Sequence, residues 1–188
     1  MHKFNPEHAK NLTSPQRLEH EKPEVIVKAA GAAENMVVVD VGCGTGFYSF
    51  PLAKIVGAHG LVYAVDLSKD MIALLEKDKE QRGVRNVQPV LSQETRIPLP
   101  DKVADMLINV NMLHEPVDRD AFIKELKRLM KDNGRLLIID HKKEPGLTGP
   151  PLEDRVAYEE AVDLLKNYFD IVVKGPSGDR QYGILAMK

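Results

Sequence analysis

Three glycines at alternate positions, Gly42, Gly44 and Gly46, lie between two acids, Asp40 and Asp66, in the stretch that begins "VVVDVGCGTGFYSF". Glycines at such a point allow a tight turn and the close approach of a ligand to the backbone. The N–H groups of a following helix can hold an anion. Asp40 would repel a diphosphate but attract an ammonium group. Asp66 could accept hydrogen bonds from both hydroxyls of a ribose.

A dinucleotide is the other ligand for a glycine-rich turn of this kind. Its usual pattern is G-x-G-x-x-G, with the pyrophosphate on the helix N-terminus. Gly42 and Gly44 match that pattern, but Phe47 occupies the third glycine position. The sequence therefore favours a nucleoside that carries an amino-acid tail and no phosphate, which is S-adenosylmethionine. A nicotinamide-dependent oxidoreductase stays as the less favoured alternative.

Apolar strands alternate with amphipathic helices along the chain from Val37 onward. Near-continuous apolar strands separated by helices indicate a mostly parallel sheet that is covered on both faces. The last two strands are separated by "PSGDRQ", which is too short for a helical crossover, so we expect them to pair antiparallel. The predicted fold is α/β: a single Rossmann-like doubly wound sheet of seven strands, mostly parallel with the last one antiparallel, with helices on both faces. The predicted elements are strands "MVVVDV", "GLVYAVDL", "NVQPVL", "VADMLINVNML", "RLLIID", "DIVVKG" and "YGILAM", with helices "TGFYSFPLAKIVG", "SKDMIALLEKDKEQRG", "DRDAFIKELKRLMKDNG" and "PLEDRVAYEEAVDLLKNYF".

The bulk composition excludes several classes of function. A length of 188 residues suggests one domain, and a net charge of −2 gives no broad attraction to nucleic acid or to anionic lipid. No apolar run approaches the roughly 18 residues that span a membrane. The N-terminus lacks a secretory signal and Cys43 is the single cysteine. We therefore expect a cytoplasmic protein with no nucleic-acid and no membrane partner.

Several segments resemble the class I S-adenosylmethionine-dependent methyltransferases, most closely the small ubiquinone/menaquinone-methylase-like (methyltransferase type 11) group. The resemblance covers roughly residues 34 to 141 and is carried by "VVVDVGCGTGFYSFPLA", "VYAVDLSKDMIALLEK", "LSQETRIPLPDKVADMLINVNMLHE" and "FIKELKRLMKDNGRLLIID". It implies S-adenosylmethionine as the cofactor. The residues that it implies in cofactor binding are Asp40, Gly42, Gly44, Gly46, Tyr48, Asp66, Leu67, Met71, Gln93, Glu94 and Asn109.

The chain departs from that family's pattern in two places. An acid usually follows the third strand near the adenine amino group, but here Gln93 stands in that position with Glu94 next to it, and either could accept the adenine N–H. The part from residue 142 onward lacks the long insertion that shapes a substrate chamber in many relatives.

We therefore interpret residues 1–188 as a single methyltransferase domain. Its parts are an N-terminal arm and helix (1–36), a cofactor-binding core (37–141), and a C-terminal helix with an antiparallel strand pair (142–188). The arm is a candidate lid.

His114 follows the fourth strand and is the candidate catalytic residue. A histidine at this edge could act as a general base for an oxygen or nitrogen nucleophile, or it could be a loop or helix-cap residue. Asp140 and His141 end the fifth strand and could contribute to a metal site. The fourth strand offers Asn109 and Asn111 rather than acids, so no metal is predicted.

Three other residues near the glycine loop have competing interpretations. Cys43 is interpreted as a small residue in a crowded loop rather than as a nucleophile. Phe47 is expected to pack on the helix face, whereas Tyr48 could face either the core or the ligand. The segment "KKEPGLTGPP" is predicted to be a loop, and it could shape the substrate entrance or connect two elements.

The predicted acceptor is a small organic molecule, methylated by in-line displacement on a monomer or homodimer. An Asn/Asp-Pro-Pro-aromatic run is absent after the fourth strand, which argues against amino-methylation of DNA or glutamine. A single cysteine argues against arsenite. A catalytically silent S-adenosylmethionine-binding regulatory protein is the alternative from another class.

Overall fold

A computed structural model of the chain describes residues 21–176 and 178–188. Within them a seven-stranded sheet has the order β3-β2-β1-β4-β5-β7-β6, and β7 is antiparallel to both of its neighbours while the other neighbouring pairs are parallel. The predicted α/β sheet, including its antiparallel last strand, is confirmed. The strands are β1 (Val37–Val41), β2 (Leu61–Asp66), β3 (Val87–Leu91), β4 (Ala104–Val110), β5 (Met130–His141), β6 (Asp170–Pro176) and β7 (Gln181–Met187).

Helices cover both faces of the sheet. Val27, Leu52 and Leu75 lie in the hydrophobic core on one face, and Phe122 and Leu165 lie in the core on the other. The sheet is therefore buried between two helical layers, as the near-continuous apolar strands predict. The helices are α1 (Pro23–Ala29), α2 (Ser49–Val56), α3 (Lys69–Arg82), α4 (Arg119–Leu129) and α5 (Tyr158–Leu165). None of these helices is long and apolar enough to cross a membrane.

Helix α3 begins and ends where its sequence signals predict. The hydroxyl oxygen of Ser68 accepts a hydrogen bond from Met71 N, which satisfies one of the first N–H groups of the helix. Gly83 ends the helix with φ 64°, a left-handed conformation in which glycine has no steric cost. This helix follows β2 directly, so its start fixes the path of the chain just after Asp66.

Strand β5 begins at Met130, five residues before the predicted strand and inside the predicted helix. The side-chain amine of Lys188 donates hydrogen bonds to Lys127 O and Met130 O, at 2.9 and 2.8 Å, so carbonyls that would continue α4 are already satisfied. Met130 instead pairs with Ala104 of β4. The prediction of a longer helix was wrong. The contacts that end α4 come from Lys188, which is distant in sequence, so the local helix pattern could not indicate them.

Two other helices are shorter than predicted. Residues 45–48 form turns rather than helix, because Gly44 and Gly46 have positive φ values of 52° and 90°, and α2 begins at Ser49. The segment before Tyr158 is not helical either, and its Arg155 side chain binds loop carbonyls. The helix predicted within residues 1–36 is present as α1, whereas residues 1–20 of the predicted arm lie outside the described residues.

The strand order places the candidate site. Strands β1 and β4 are neighbours, and the order reverses between them, so that the loops after β1 and β4 diverge to opposite faces. Ligands in open α/β sheets bind beyond the carboxyl ends of the strands at such a point. Asp66, Asn111 and His141, which end or follow β2, β4 and β5, are therefore brought to one edge.

Candidate active site

A cavity of about 1080 Å³ lies at this edge of the sheet. On its β2–β3 side, which we call the nucleoside side, it is lined by Gly42, Gly44, Asp66, Leu67, Met71, Gln93 and Glu94. On its β5–β7 side, which we call the acceptor side, it is lined by Asn111, His114, His141, Thr148, Gly149, Pro150 and Arg180. One cavity therefore contains most of the predicted site residues and several residues that the sequence did not indicate.

The glycine loop is tied to β2 by its own backbone. Gly42 N and Cys43 N both donate to Val65 O, at 2.8 and 3.0 Å. Gly42 and Gly44 have φ values of 77° and 52°, and a Cβ at Gly42 would overlap the sulfur of Met112. The loop is therefore held in a conformation that only glycine adopts easily, with bare backbone at the cavity wall.

Gly46, predicted to bind the cofactor, does not line the cavity. A Cβ there would lie 2.5 Å from Leu75 Cδ1 and 2.8 Å from Phe50 Cε2. Its φ is 90°, so a side chain would also strain the backbone. Gly46 therefore lets α3 and the start of α2 approach each other, and its effect on the cavity is indirect.

Asp66 ends β2 with both carboxylate oxygens bound to backbone. Oδ2 accepts from Gly44 N at 2.9 Å, and Oδ1 accepts from Ser68 N at 2.8 Å. Burial raises the pKa of Asp66, while these backbone N–H groups act in the opposite direction. A carboxylate has about four lone-pair sites, so two remain for donors from a ligand in the cavity. Asp66 thus fixes the glycine loop and faces the nucleoside side at the same time.

Asp40 and Asn109 have different positions relative to the cavity. Asp40 lines it but is only 2% exposed, and its Oδ2 accepts a 2.6 Å hydrogen bond from Ser49 Oγ at the start of α2. Asn109 is fully buried and does not line the cavity, and its Nδ2 donates to Val41 O at 3.0 Å. Asn109 therefore joins β4 to β1, and Asn111, two residues later, is the asparagine at the cavity wall.

Gln93 and Glu94 both line the nucleoside side, but Glu94 already has a backbone partner. Its Oε1 accepts from Val117 N at 2.8 Å, which ties the loop after β3 to the loop after β4. The same loop is held further along where Ile97 N donates to Glu125 Oε1 at 2.7 Å. The structure places both predicted residues in the cavity wall without choosing between them.

His114 and Asp140 form a hydrogen-bonded pair on the acceptor side. His114 Nδ1 lies 2.8 Å from Asp140 Oδ1, and His114 N donates to Asp140 Oδ2 at 3.1 Å. An ionised carboxylate only accepts, so the ring proton belongs on Nδ1 and Nε2 holds the lone pair of the neutral imidazole. Burial lowers the pKa of His114, but the hydrogen bond and charge of Asp140 outweigh it, and the pKa lies above its ordinary value. This arrangement suits a general base.

His141 stands beside this pair. The ring centroid of His141 lies 6.0 Å from that of His114. The backbone N–H of His141 donates to Asp140 Oδ1 at 2.7 Å. Burial lowers the pKa of His141, so the ring is neutral where His114 is easily protonated. Its Nδ1 is buried, and no residue in the described part of the chain forms a hydrogen bond with it. The sequence placed Asp140 and His141 at the end of a strand, but it could not show that Asp140 serves His114.

The three residues with competing interpretations lie together in the cavity wall. Cys43, Phe47 and Tyr48 are all buried and all line the cavity. Burial raises the pKa of the Cys43 thiol, which disfavours the reactive thiolate. The Phe47 and Tyr48 rings pack edge to face with centroids 5.4 Å apart, and the Tyr48 hydroxyl donates to Glu21 at 3.4 Å. Tyr48 therefore serves both the core and the cavity.

The predicted loop after β5 does shape the cavity. Thr148, Gly149 and Pro150 line it. The buried Arg155 holds this loop by donating to four of its carbonyls, those of Lys142, Glu144, Leu147 and Pro150, at 2.7 to 3.2 Å. The sequence suggested a helix around Arg155, so its role as an anchor of the acceptor side was missed.

Among residues 21–176 and 178–188 the structure contains no group of three or more His, Cys, Asp or Glu side chains arranged to hold a metal ion. The carboxylate of Asp140, the acid considered for such a site, is bound to N–H groups of His114 and His141. These contacts give Asp140 a role in positioning the two histidines.

Comparison with known proteins agrees with this geometry. Residues 32–178 match the sequence model of a methyltransferase domain. A SAM-dependent methyltransferase from Aquifex aeolicus, known from its crystal structure, is 37% identical with a TM-score of 0.94, and the match covers 98% of this chain and 99% of that one.

Curated relatives match about two thirds of the chain. The ubiquinone/menaquinone biosynthesis C-methyltransferase UbiE of Shewanella woodyi is 31% identical over 118 residues, which are 62% of this chain and 47% of that protein. A demethylmenaquinone methyltransferase of a Geobacillus species is 29% identical over 67% of this chain and 53% of its own. The chain thus spans about half the length of the curated relatives it matches.

Proposed function

Because the chain belongs to the methyltransferase domain family, and because its resemblance to the S-adenosylmethionine-dependent class I enzymes is confirmed, we propose that it methylates a small molecule. One observation carries the proposal: the glycine loop and Asp66 share a single cavity with the His114–Asp140 pair. The candidate nucleoside site and the candidate general base thereby share one space. The comparisons give no support to the regulatory alternative, and S-adenosylmethionine is the cofactor that the family uses.

The residues on the nucleoside side fit that cofactor. Gly42 and Gly44 present bare backbone at the cavity wall, and Asp66 retains acceptor sites for the hydroxyls of a ligand. Asp40 lines the cavity beside the loop. Its carboxyl group would attract the ammonium group of the amino-acid tail. We propose that Gly42, Gly44, Tyr48, Asp66, Leu67, Met71 and one or both of Gln93 and Glu94 hold the cofactor. Gly46 and Asn109 support the site from behind its wall.

The bound cofactor supplies a methyl group on a positively charged sulfur, which is an activated electrophile. The task of the protein is therefore to align the acceptor for in-line displacement and to exclude water. Where the acceptor atom carries a hydrogen, His114 Nε2 accepts that proton as the acceptor's lone pair becomes nucleophilic. Asp140 holds the imidazole in the required tautomer and stabilises the imidazolium that forms.

Release of S-adenosylhomocysteine across a panel of small phenols, amines, thiols and carbon acids tests this proposal. Turnover of at least one acceptor, reduced about a hundredfold or more in His114→Ala, is the expected result for an oxygen or nitrogen acceptor. Lys143→Ala, in an exposed loop residue outside the cavity, is the matched control. Binding of S-adenosylhomocysteine without turnover of any acceptor would instead favour the regulatory alternative.

The remaining parts of the proposal do not bear on this chemistry. We infer a monomer or homodimer in the cytoplasm, without nucleic acid as a partner, from composition and charge. Residues 1–188 as a single domain also stay a prediction. The candidate lid in residues 1–20 lies outside the described residues.

A further inference from the structure

Among the described lining residues of the cavity, Arg180 is the one lysine or arginine. Acids are numerous there: Glu21, Asp40, Asp66, Glu94 and Glu115. Asp40, Asp66 and Glu94 have hydrogen-bond partners on the nucleoside side, and Glu21 accepts from Tyr48. A lone guanidinium in an otherwise acidic wall marks the position where an anionic group would be bound.

The backbone of Arg180 is fixed by strand pairing. Its carbonyl accepts a 3.0 Å hydrogen bond from Lys142 N, and the next residue, Gln181, pairs with His141 in the β5–β7 register. The Gln181 side chain in turn donates to Asn111 Oδ1 at 2.5 Å. The three strand ends β4, β5 and β7 are thus joined at the acceptor side, and Arg180 projects from that junction.

Among residues 21–176 and 178–188, the guanidinium has one hydrogen bond to a side chain. Its Nη1 donates to Thr148 Oγ1 at 2.9 Å. A guanidinium has five N–H groups in a rigid fork, so an edge for two parallel bonds to one carboxylate is still available. Thr148 orients the fork without neutralising it.

A continuous wall leads from this fork to the candidate base. Thr148 is followed by Gly149, where a Cβ would lie 2.7 Å from His141 Nδ1, and His141 lies 6.0 Å from His114 between ring centroids. A small acceptor can therefore place one end against Arg180 and its reacting atom at His114. The half-buried ring of His141 would line the space between them.

From this geometry, and resting on the proposed function, we infer that the methyl acceptor carries a carboxylate that Arg180 binds. Arg180 is then a specificity-determining residue, and Thr148 is a positioning residue for its guanidinium. Binding of the carboxylate fixes one end of the acceptor, which reduces the freedom of the reacting end and favours in-line transfer.

The test compares carboxylates with their carboxamides, which have the same shape without the charge. 4-Hydroxybenzoate, 3,4-dihydroxybenzoate and phenylacetate are titrated calorimetrically against the full chain, each beside its amide, with and without S-adenosylhomocysteine. We expect at least one acid to bind about tenfold more tightly than its amide to the unaltered protein. Arg180→Ala should abolish that preference, and Arg180→Lys should restore part of it through charge alone.

Lys143→Ala is the matched control, because it removes a nearby positive charge that does not line the cavity. It should keep the full preference for the acid. Thr148→Ala should weaken binding of the acid less than Arg180→Ala does.

The inference is overturned if every acid binds no better than its amide, or if the preference survives in Arg180→Ala. Tighter Arg180-dependent binding of phenyl phosphate than of any carboxylate would overturn the choice of carboxylate. S-adenosylhomocysteine affinity is measured in the same samples. If the unaltered protein does not bind S-adenosylhomocysteine, the proposed function is contradicted. The comparison of acids with amides can still be interpreted from the titrations without S-adenosylhomocysteine.

Discussion

His114 receives two contacts from one carboxylate: Asp140 binds its ring at Nδ1, at 2.8 Å, and its backbone N–H, at 3.1 Å. The double contact fixes both the position of the residue and the rotation of its imidazole. The remaining ring nitrogen is then held in one orientation, in a residue that lines the cavity. A loop residue is thereby given the rigidity that a general base needs.

The first prediction concerns the pH dependence of turnover. His114 must be deprotonated to act, so activity should rise with pH through its pKa, which Asp140 raises. Asp140→Asn removes the charge that raises it and leaves the burial that lowers it. We expect the rising limb of kcat against pH to move to lower pH, together with a smaller maximal rate. Asp163→Asn, in an exposed residue of α5, should leave the limb in place. A limb that does not move in Asp140→Asn would exclude the pairing as the cause.

The second prediction concerns Asp66. Its carboxylate is expected to accept two hydroxyls, each worth about 1.5–3 kcal/mol with a charged acceptor, so Asp66→Ala should weaken S-adenosylhomocysteine binding at least about a hundredfold. Calorimetric titration measures this. Because burial raises the pKa of Asp66 and the ligand favours the ionised form, affinity in the unaltered protein should fall as pH drops through that raised pKa. Asp66→Ala should lose this pH dependence, and equal affinities in both proteins would refute the assignment.

The third prediction separates two glycines of the same loop. Gly44 lines the cavity with φ 52°, so Gly44→Val should abolish S-adenosylhomocysteine binding. Gly46 packs against Leu75 and Phe50, so Gly46→Val should lower the free energy of unfolding by about 3 kcal/mol through overpacking and backbone strain. Urea unfolding followed by circular dichroism, with ligand titration of the folded fraction, distinguishes them. Equal loss of stability in the two variants would show that the loop acts as one structural unit.

The fourth prediction concerns the anchor of the acceptor side. Arg155→Leu removes four hydrogen bonds to the carbonyls of the loop after β5 and should cost about 3 kcal/mol of unfolding free energy. Amide hydrogen exchange in residues 142–150 should accelerate more than exchange in β1. Arg85→Leu, in an exposed arginine after α3, is the control. Unchanged exchange in the loop would mean that other contacts suffice to hold it.

Most of the residues that local patterns indicated for the nucleoside side lie together in one cavity wall. The glycine loop, Asp66 and the Ser68 cap lie within a short stretch of chain, where spacing alone constrains geometry. The acceptor side was not predictable in this way, because Arg155 and Arg180 reach the site through strand pairings and loop contacts that are distant in sequence. Gly46 and Asn109, which the resemblance implied in cofactor binding, do not line the cavity and contact protein.

The position of β7 has a consequence for how the chain is made. In the described part of the chain, strand β6 pairs with β7 alone, and β7 lies between β6 and β5. During vectorial synthesis, residues 170–176 are made before the strand that they need, and β5, which ends at His141, has an open edge for longer still. At roughly 5–20 residues per second these intervals are on the order of one to ten seconds. In that period the nascent chain exposes two strand edges to other chains. This sheet would therefore aggregate most readily where many nascent chains are crowded together.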